Sequence, residues 1–201
     1  MQKLFFFDLE TTGLDPKTCA IHQIAGKVII DGKVRESFNI NVRPFEGAVI
    51  EDAALEVGHV TKEQIMSYKP MEAGYNQLMR ILDRYVNKYD KKDKFFIAGY
   101  NIAVFDVPFL REFFIMNGNN FYGSYFWSVP LDIIILAGAK LMNIRPAMVD
   151  FKQGTVAKQL GILVKEDSLH DAMYDIDICY EIYKKVTDGT APTIISEDYD
   201  L

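Results

Sequence analysis

Residues 4–13 read Leu-Phe-Phe-Phe-Asp-Leu-Glu-Thr-Thr-Gly, a run that changes from wholly apolar to acidic and polar. Its first half, residues 4–7, is wholly apolar and rich in aromatic side chains, which favours a strand buried on both faces. Asp8 and Glu10 follow. Because side chains at i and i+2 of a strand share a face, the two carboxylates are predicted to project the same way. They stand at the carboxyl end of the predicted strand, where α/β sheets usually bind ligands.

Two carboxylates held this close cannot both stay ionised unless a cation binds between them or the pKa of one rises strongly. Asp8 and Glu10 are therefore candidate metal ligands. The alternative is a polar strand end at which Glu10 is merely solvated, and these two residues alone leave both interpretations open.

The segments that follow predict an α/β fold with a mixed sheet. Residues 21–30 and 34–42 are rich in β-branched residues and flank Asp31-Gly32, a strong hairpin signal. A second buried strand is predicted at residues 95–99. Helices are predicted at residues 61–66, 71–88, 106–116, 131–141, 155–160 and 171–186. This order predicts N-terminal antiparallel hairpin strands, then parallel strands, in a sheet flanked by α-helices.

Length and composition indicate one ordinary globular domain, since 201 residues with 49% hydrophobic and 25% charged side chains are typical of such domains. We expect residues 1–187 to form this domain and residues 188–201 to be a loose acidic tail. The 22 basic and 28 acidic side chains give a net charge of −6, which is unlike a strongly basic nucleic-acid binder.

Cysteine content and hydropathy bear on the compartment. Two cysteines are too few for a disulfide framework or a four-cysteine zinc site. The apolar runs fall far short of the ~20 residues that span a bilayer. The expectation is a cytoplasmic protein without a membrane partner.

Asp106 is a third candidate ligand, at the start of a predicted helix. Aspartate is favoured as a helix N-cap, and Val107-Pro108 follow in the first turn, so capping and metal binding are both open here. Asn101, just after the predicted strand at residues 95–99, could cap the same loop or hydrogen-bond a substrate.

Residues 170–175 read His-Asp-Ala-Met-Tyr-Asp and supply the last candidates. Positions five apart on a helix differ by roughly 140°, so His170 must lie at or before the helix start if it and Asp175 reach one site. Ala172 shares a face with Asp175, and its small side chain would let the helix approach the carboxylate-bearing strand. Asp171 competes for the ligand role, whereas Asp177 points to the other side. The alternative is an acidic first turn that complements the helix macrodipole.

Taken together, these segments resemble the motifs of the DEDDh-type 3′–5′ exonucleases, the DnaQ-like proofreading exonuclease family of the RNase H-like fold. Residues 7–15 resemble the first motif, residues 101–106 the second, and His170-x-Ala172-x-x-Asp175 the third, in the family's order. Many members have His-Asn where this chain has Tyr100-Asn101, and three residues instead of two precede Phe105-Asp106. The departures concern the nucleotide pocket and leave the four acids and the histidine unchanged.

The resemblance implies that Asp8, Glu10, Asp106 and Asp175 hold two Mg²⁺ or Mn²⁺ ions, an oxygen-rich set that suits such cations. It implies that His170 takes the proton of the attacking water. The residues implied to contact the terminal nucleotide are Thr11, Thr12, Leu14, Asn101 and Phe105. His22, in a predicted strand, and His59, in a predicted loop, are not expected to be catalytic.

The activity implied is metal-dependent hydrolysis of 3′-terminal phosphodiester bonds, with release of nucleoside 5′-monophosphates. The expected partner is the 3′ end of a nucleic acid, DNA in preference to RNA, and a polymerase or repair protein is a candidate further partner. The alternatives are an RNA-trimming exoribonuclease of the same fold and a non-catalytic nuclease-like binding module. An aspartyl-phosphate phosphotransferase fits less well, because Glu10 stands where that chemistry uses a second aspartate, and it leaves His170 and Asp175 unexplained.

Overall fold

Strand β1 (Lys3–Thr11) is the central strand of a five-stranded sheet in the computed structural model, which describes residues 1–165 and 172–188. The other strands are β2 (Ile21–Ile30), β3 (Lys33–Asn41), β4 (Phe96–Gly99) and β5 (Leu131–Asp132). Across the sheet the order is β3-β2-β1-β4-β5. The pairs β1–β2 and β2–β3 are antiparallel, whereas β1–β4 and β4–β5 are parallel. The predicted mixed sheet is confirmed.

Helices cover the sheet and connect its strands. They are α1 (Asp52–Val57), α2 (Lys62–Met66), α3 (Met71–Tyr85), α4 (Asp106–Met116), α5 (Ile133–Lys140), α6 (Gln153–Gln159) and α7 (Ala172–Val186). Short 3₁₀ turns lie at Tyr122–Ser124 and Arg145–Ala147. In the part of the chain that the structure describes, no helix is long and apolar enough to cross a membrane.

The hairpin between β2 and β3 turns at Asp31 and Gly32, as predicted. The φ angles of these two residues are 49° and 73°, both in the left-handed region. A two-residue hairpin turn whose twist matches that of the strands requires this conformation, which Asp-Gly tolerates well.

Alternate side chains of β1 fill two separate cores. Phe5 and Phe7 pack on the face covered by α3 and α4, whereas Leu4 and Phe6 pack on the face covered by α5, α6 and α7. Because strand side chains alternate, Asp8 continues the row of Leu4 and Phe6 and therefore projects towards the α7 side of the sheet. The apolar first half of the strand thus determines which helix the carboxylates face.

Details of two segments differ from the prediction, and a third segment is not described. The segment predicted as a helix at residues 131–141 begins as β5, whose two residues pair with β4 before α5 starts. Helix α1 was not predicted. The predicted loose tail lies, from residue 189 onwards, outside the described residues.

Candidate active site

Asp8 and Glu10 lie on one face of β1, near the carboxyl end of the strand. Asp8 lines a small pocket together with Gly99, Tyr100, Gln153 and Asp175. Residues from β1, β4, α6 and α7 therefore meet around one carboxylate. The side chains of Asp8 and Glu10 are both partly exposed.

Asp106 is the first residue of α4 and is only 5% exposed. Its Oδ1 accepts a hydrogen bond of 3.1 Å from the backbone N–H of Leu9, between the two acids of β1. Phe105, not Asp106, occupies the N-cap position, and no side chain caps this helix end. Asp106 is therefore not the N-cap of α4, and one oxygen of its side chain is hydrogen-bonded to the backbone of β1.

Gly99 lets the loop before α4 come close to β1. A Cβ at this position would lie 2.4 Å from Cγ2 of Ile102 and 2.8 Å from the backbone oxygen of Phe7. Both distances are far below van der Waals contact, so a side chain here would push the loop away from the strand.

Asp175 lies in the first turn of α7 and lines the same pocket as Asp8. Ala172, in the same turn, is buried, in agreement with the prediction that a small side chain allows close approach to the sheet. Gln153 of α6 donates a hydrogen bond of 2.7 Å from Nε2 to the backbone oxygen of Asp175 and so braces this turn. Asp177 is exposed and forms an ion pair with Lys27, away from the pocket, as predicted.

His170 and Asp171 lie outside the described residues. The predicted roles of His170 as general base and of Asp171 as a competing ligand therefore stay predictions from the sequence.

The four acids interact electrostatically. Removal from water, and then the charges of Asp106, Glu10 and Asp175, raise the pKa of Asp8 well above its usual value. Burial and the charge of Asp175 raise the pKa of Glu10 to about 7. Burial also raises the pKa of Asp106 to about 7, although the hydrogen bond from Leu9 opposes the rise. Without a cation, the site therefore holds protons near neutral pH.

This donor set fits divalent cations of the Mg²⁺ or Mn²⁺ type, which prefer carboxylate oxygens. Within residues 1–165 and 172–188, no three carboxylate, imidazole or thiol groups are already arranged to hold a metal ion.

The loop after β1 supplies the predicted nucleotide contacts at Thr11, Thr12 and Leu14. The hydroxyl of Thr11 donates to the backbone oxygen of Gly13 at 2.8 Å. Thr12 is fully buried, and its hydroxyl is shared between the backbone oxygen of Val49 and the backbone N–H of Ala20. Its side chain thus holds the loop together and does not face a ligand. Leu14, by contrast, is 75% exposed.

Asp132 organises the loop that carries Asn101, a role that the sequence did not reveal. Its carboxylate accepts hydrogen bonds from the backbone N–H groups of Asn101 at 2.8 Å and Ala103 at 2.9 Å, and a longer one of 3.3 Å from Ile134. Asn101 is exposed and has a φ of 62°, so these bonds fix a left-handed residue whose side chain is free to meet a ligand. The only signal in the sequence was an aspartate in front of an apolar helical run, which is typical of an N-cap.

Phe105 and Tyr100 flank this loop. Phe105 is half-buried and packs on Phe109, with 5.1 Å between the ring centres, so it belongs to the edge of the core. The hydroxyl of Tyr100 donates to the backbone oxygen of Phe151 at 2.6 Å, and its ring lines the Asp8 pocket. Burial raises the pKa of Tyr100 above its usual value, so it stays a neutral hydrogen-bond donor.

His22 also lies near Glu10, and the sequence gave no signal for this. It is 1% exposed, and burial lowers its pKa to about 4, so the imidazole is neutral near pH 7. Its proximity to Glu10 depends on strand register, which a single sequence does not contain.

Comparisons with known proteins point to one family. The model of the exonuclease family (RNase_T) matches residues 5–183. A PolC-type DNA polymerase III of Mycoplasmopsis pulmonis (strain UAB CTIP) is 26% identical over 182 residues, which are 90% of this chain and 11% of the polymerase. Ribonuclease T of Hahella chejuensis (strain KCTC 2396) is 33% identical over 109 residues, which are 51% of this chain and 49% of the ribonuclease.

A solved structure has the same fold. The zinc-bound form of the E. coli exonuclease I complex with single-stranded DNA matches with a TM-score of 0.73 at 20% identity, over 94% of this chain and 41% of that one. This chain therefore spans at most half the length of each of these three proteins.

The raised carboxyl pKa values predict a pH-dependent stability. Glu10 and Asp106 have ordinary pKa values of 4.5 and 3.8, and both rise to about 7 in the folded protein. A group whose pKa is raised by folding stabilises the fold below its unfolded pKa, and this contribution is lost as the pH rises through the folded value. In EDTA, the melting temperature should therefore fall between about pH 5 and about pH 8. Mg²⁺ or Mn²⁺ should raise it more at the higher pH.

Scanning fluorimetry of matched variants checks this prediction. Asp8→Asn removes one of the interacting charges and should flatten the pH dependence. Asp90→Asn, on an exposed loop, should leave it unchanged. An ion-free protein whose melting temperature does not fall over this range would contradict the prediction.

Asp132→Asn tests the support of the Asn101 loop. The amide nitrogen of asparagine cannot accept the backbone N–H that one carboxylate oxygen now accepts. The free energy of unfolding should fall by about 1–3 kcal/mol. Turnover of an oligonucleotide should fall by roughly tenfold or more, since small displacements of site residues are costly.

Urea denaturation and initial rates measure the two effects. Asp90→Asn is the matched control, because Asp90 also accepts a backbone N–H, from Lys92 at 2.8 Å, but on an exposed loop. Equal losses in the two variants would refute the proposed role of Asp132.

Proposed function

The chain belongs to the exonuclease family, of the DnaQ-like 3′–5′ type, and we propose that it uses divalent cations to hydrolyse the 3′-terminal phosphodiester bonds of DNA. The expected products are nucleoside 5′-monophosphates. The observation that carries the proposal is the electrostatic interaction of Asp8 with Glu10, Asp106 and Asp175 near the carboxyl end of the central strand.

The proposed cofactors are two Mg²⁺ or Mn²⁺ ions held by Asp8, Glu10, Asp106 and Asp175. Four ionised carboxylates carry four negative charges, which two divalent cations balance. When bound, such a pair of cations supplies a Lewis acid for the scissile phosphate and lowers the pKa of the attacking water. The protein's part is to hold these oxygens on rigid elements, and the hydrogen bond from Leu9 to Asp106 does this for one of them.

We assign His170 the role of general base. It is the histidine of the third motif, and its imidazole would accept the proton of the attacking water near neutral pH. His22 is unsuited to this role, because its pKa of about 4 makes it a poor base at pH 7.

Nucleotide binding is assigned to the two loops that border the carboxylates. Leu14 is exposed beside the end of β1, and Asn101 is exposed in the loop after β4. The neighbouring main chain at Thr11 completes the first loop, with Thr12 as its internal support. Phe105 would act from the edge of the core, next to the nucleotide.

DNA is proposed as the substrate because the structural neighbour is in complex with single-stranded DNA and one relative is a DNA polymerase. RNA is the second candidate, supported by the 33% identity to ribonuclease T over 109 residues. The likeness to the polymerase also makes a replication or repair protein the candidate partner.

Digestion of matched oligonucleotides tests the proposal. A 5′-labelled DNA strand should be shortened stepwise from its 3′ end with Mg²⁺ or Mn²⁺ and left intact with EDTA, and the same sequence as RNA should be cut more slowly. Mismatched duplex DNA is the third substrate in this comparison. Faster cutting of RNA would favour the second candidate. Binding without degradation of any substrate would support a non-catalytic module instead.

His170→Ala should lower kcat by roughly 10²–10⁴-fold, the range for loss of a general base, and leave Mn²⁺ affinity largely unchanged. Asp8→Ala should weaken Mn²⁺ binding as well. His59→Asn is the control, because His59 is exposed and has a φ of 50°, which asparagine tolerates. Full activity of His170→Ala across neutral pH would remove the assignment of His170 as general base.

A further inference from the structure

His22 is a buried imidazole without a hydrogen bond. Neither of its ring nitrogens has a partner among the described residues, although the residue is 1% exposed. Leaving a buried polar group unpaired is costly, and native proteins rarely do so without a reason. An apolar side chain would serve a purely structural position on β2 better.

His22 lies in a β-bulge of β2. Glu10 pairs with Gln23, but Thr11 pairs with Ile21, so His22 is the extra residue on β2. Bulges redirect side chains and occur often beside active sites. The backbone oxygen of His22 accepts a hydrogen bond of 2.9 Å from Val42, which keeps the bulge in place.

Gly58 leaves room between His22 and Glu10. A Cβ on Gly58 would lie 3.5 Å from Oε2 of Glu10, 3.6 Å from Nε2 of His22 and 3.7 Å from the backbone oxygen of Ala54. The φ of Gly58 is −77°, which any residue adopts, so the backbone does not require glycine here. A side chain at this position would instead touch three polar atoms, one of them on Glu10 and one on His22.

We propose that His22 is a positioning residue that holds the Glu10 carboxylate through one water molecule bound in the space beside Gly58. Buried waters typically have two to four polar partners, and this space offers three. The neutral imidazole donates its Nε2–H to the water, and the water donates to Oε2 of Glu10 and to the oxygen of Ala54. Every hydrogen of the link is then used, and no group needs to change its charge.

This link would orient Glu10 for a cation without making His22 a ligand. Outer partners of ligating carboxylates commonly contribute 10–100-fold to metal affinity, because they fix the carboxylate in its binding orientation. The inference rests on the proposed function, since it concerns the cation site that this function requires.

Mn²⁺ binding measured by calorimetry tests the proposal with three variants and a control. His22→Leu removes the donor, and Gly58→Ala fills the space with a methyl group that displaces no protein atom. Each should weaken Mn²⁺ binding by about tenfold or more, and His22→Gln, which keeps an N–H donor, should recover most of the loss. Gly138→Ala is the control, because a Cβ there meets nothing within 4 Å.

Two further readouts separate positioning from a structural role. The melting temperature in EDTA should be unchanged or higher in His22→Leu and Gly58→Ala, whereas loss of a structural contact would lower it. The double variant should bind Mn²⁺ no more weakly than the weaker single variant, because both substitutions break one link.

Wild-type affinity in both His22→Leu and Gly58→Ala would overturn the proposal. A loss in His22→Leu without a loss in Gly58→Ala would overturn the water link. If His22→Leu does not fold, the Mn²⁺ affinity of Gly58→Ala alone decides whether the proposal stands. Failure of the wild-type protein to bind Mn²⁺ would instead count against the proposed function.

Discussion

Repulsion among four crowded carboxylates, one buried and three partly exposed, governs the chemistry of this site. Asp8 lies within electrostatic range of Glu10, Asp106 and Asp175, and burial makes each charge harder to stabilise. The ion-free protein relieves the repulsion by keeping protons, with the pKa of Glu10 and of Asp106 at about 7. Bound divalent cations would also relieve the repulsion between the carboxylates, because their positive charge lets all four groups ionise together. Folding, proton binding and metal binding are thus linked at one place in the molecule.

The fold makes this crowding possible because each acid lies on a strand or helix that is held in place by packing or by a hydrogen bond. Asp8 and Glu10 lie on the central strand, whose first half is packed on both faces by helices. Asp106 is fastened to the backbone of that strand. Asp175 lies in the first turn of α7, the helix that covers the face towards which Asp8 projects. Protons or cations, and not movement of the scaffold, therefore relieve the repulsion between the acids.

The parts predicted from the sequence are those that depend on local chemistry. The alternation of β1 placed Asp8 and Glu10 on one face, Asp31-Gly32 gave the hairpin, and Ala172 gave the close approach of α7. The parts that were missed depend on contacts between distant segments. Asp132 precedes a helical run, as an N-cap does, but its carboxylate chiefly holds the loop after β4. Asp106 occurs in the same sequence context and yet reaches across to β1. The bulge at His22 follows from strand register, which a single sequence does not encode.

The charge of the chain constrains how a strand can bind. A net charge of −6 leaves little of the phosphate attraction that usually dominates nucleic-acid affinity. The loops beside the carboxylates carry exposed apolar side chains instead, with Leu14 75% exposed in one and Val104 73% exposed in the other. Under the proposed function, such side chains would pack against base and sugar surfaces, and bound cations would supply the positive charge at the scissile phosphate. Electrostatic attraction for phosphate would then be confined to the site where the bond breaks. This favours binding of a few nucleotides at a strand end over binding along the strand.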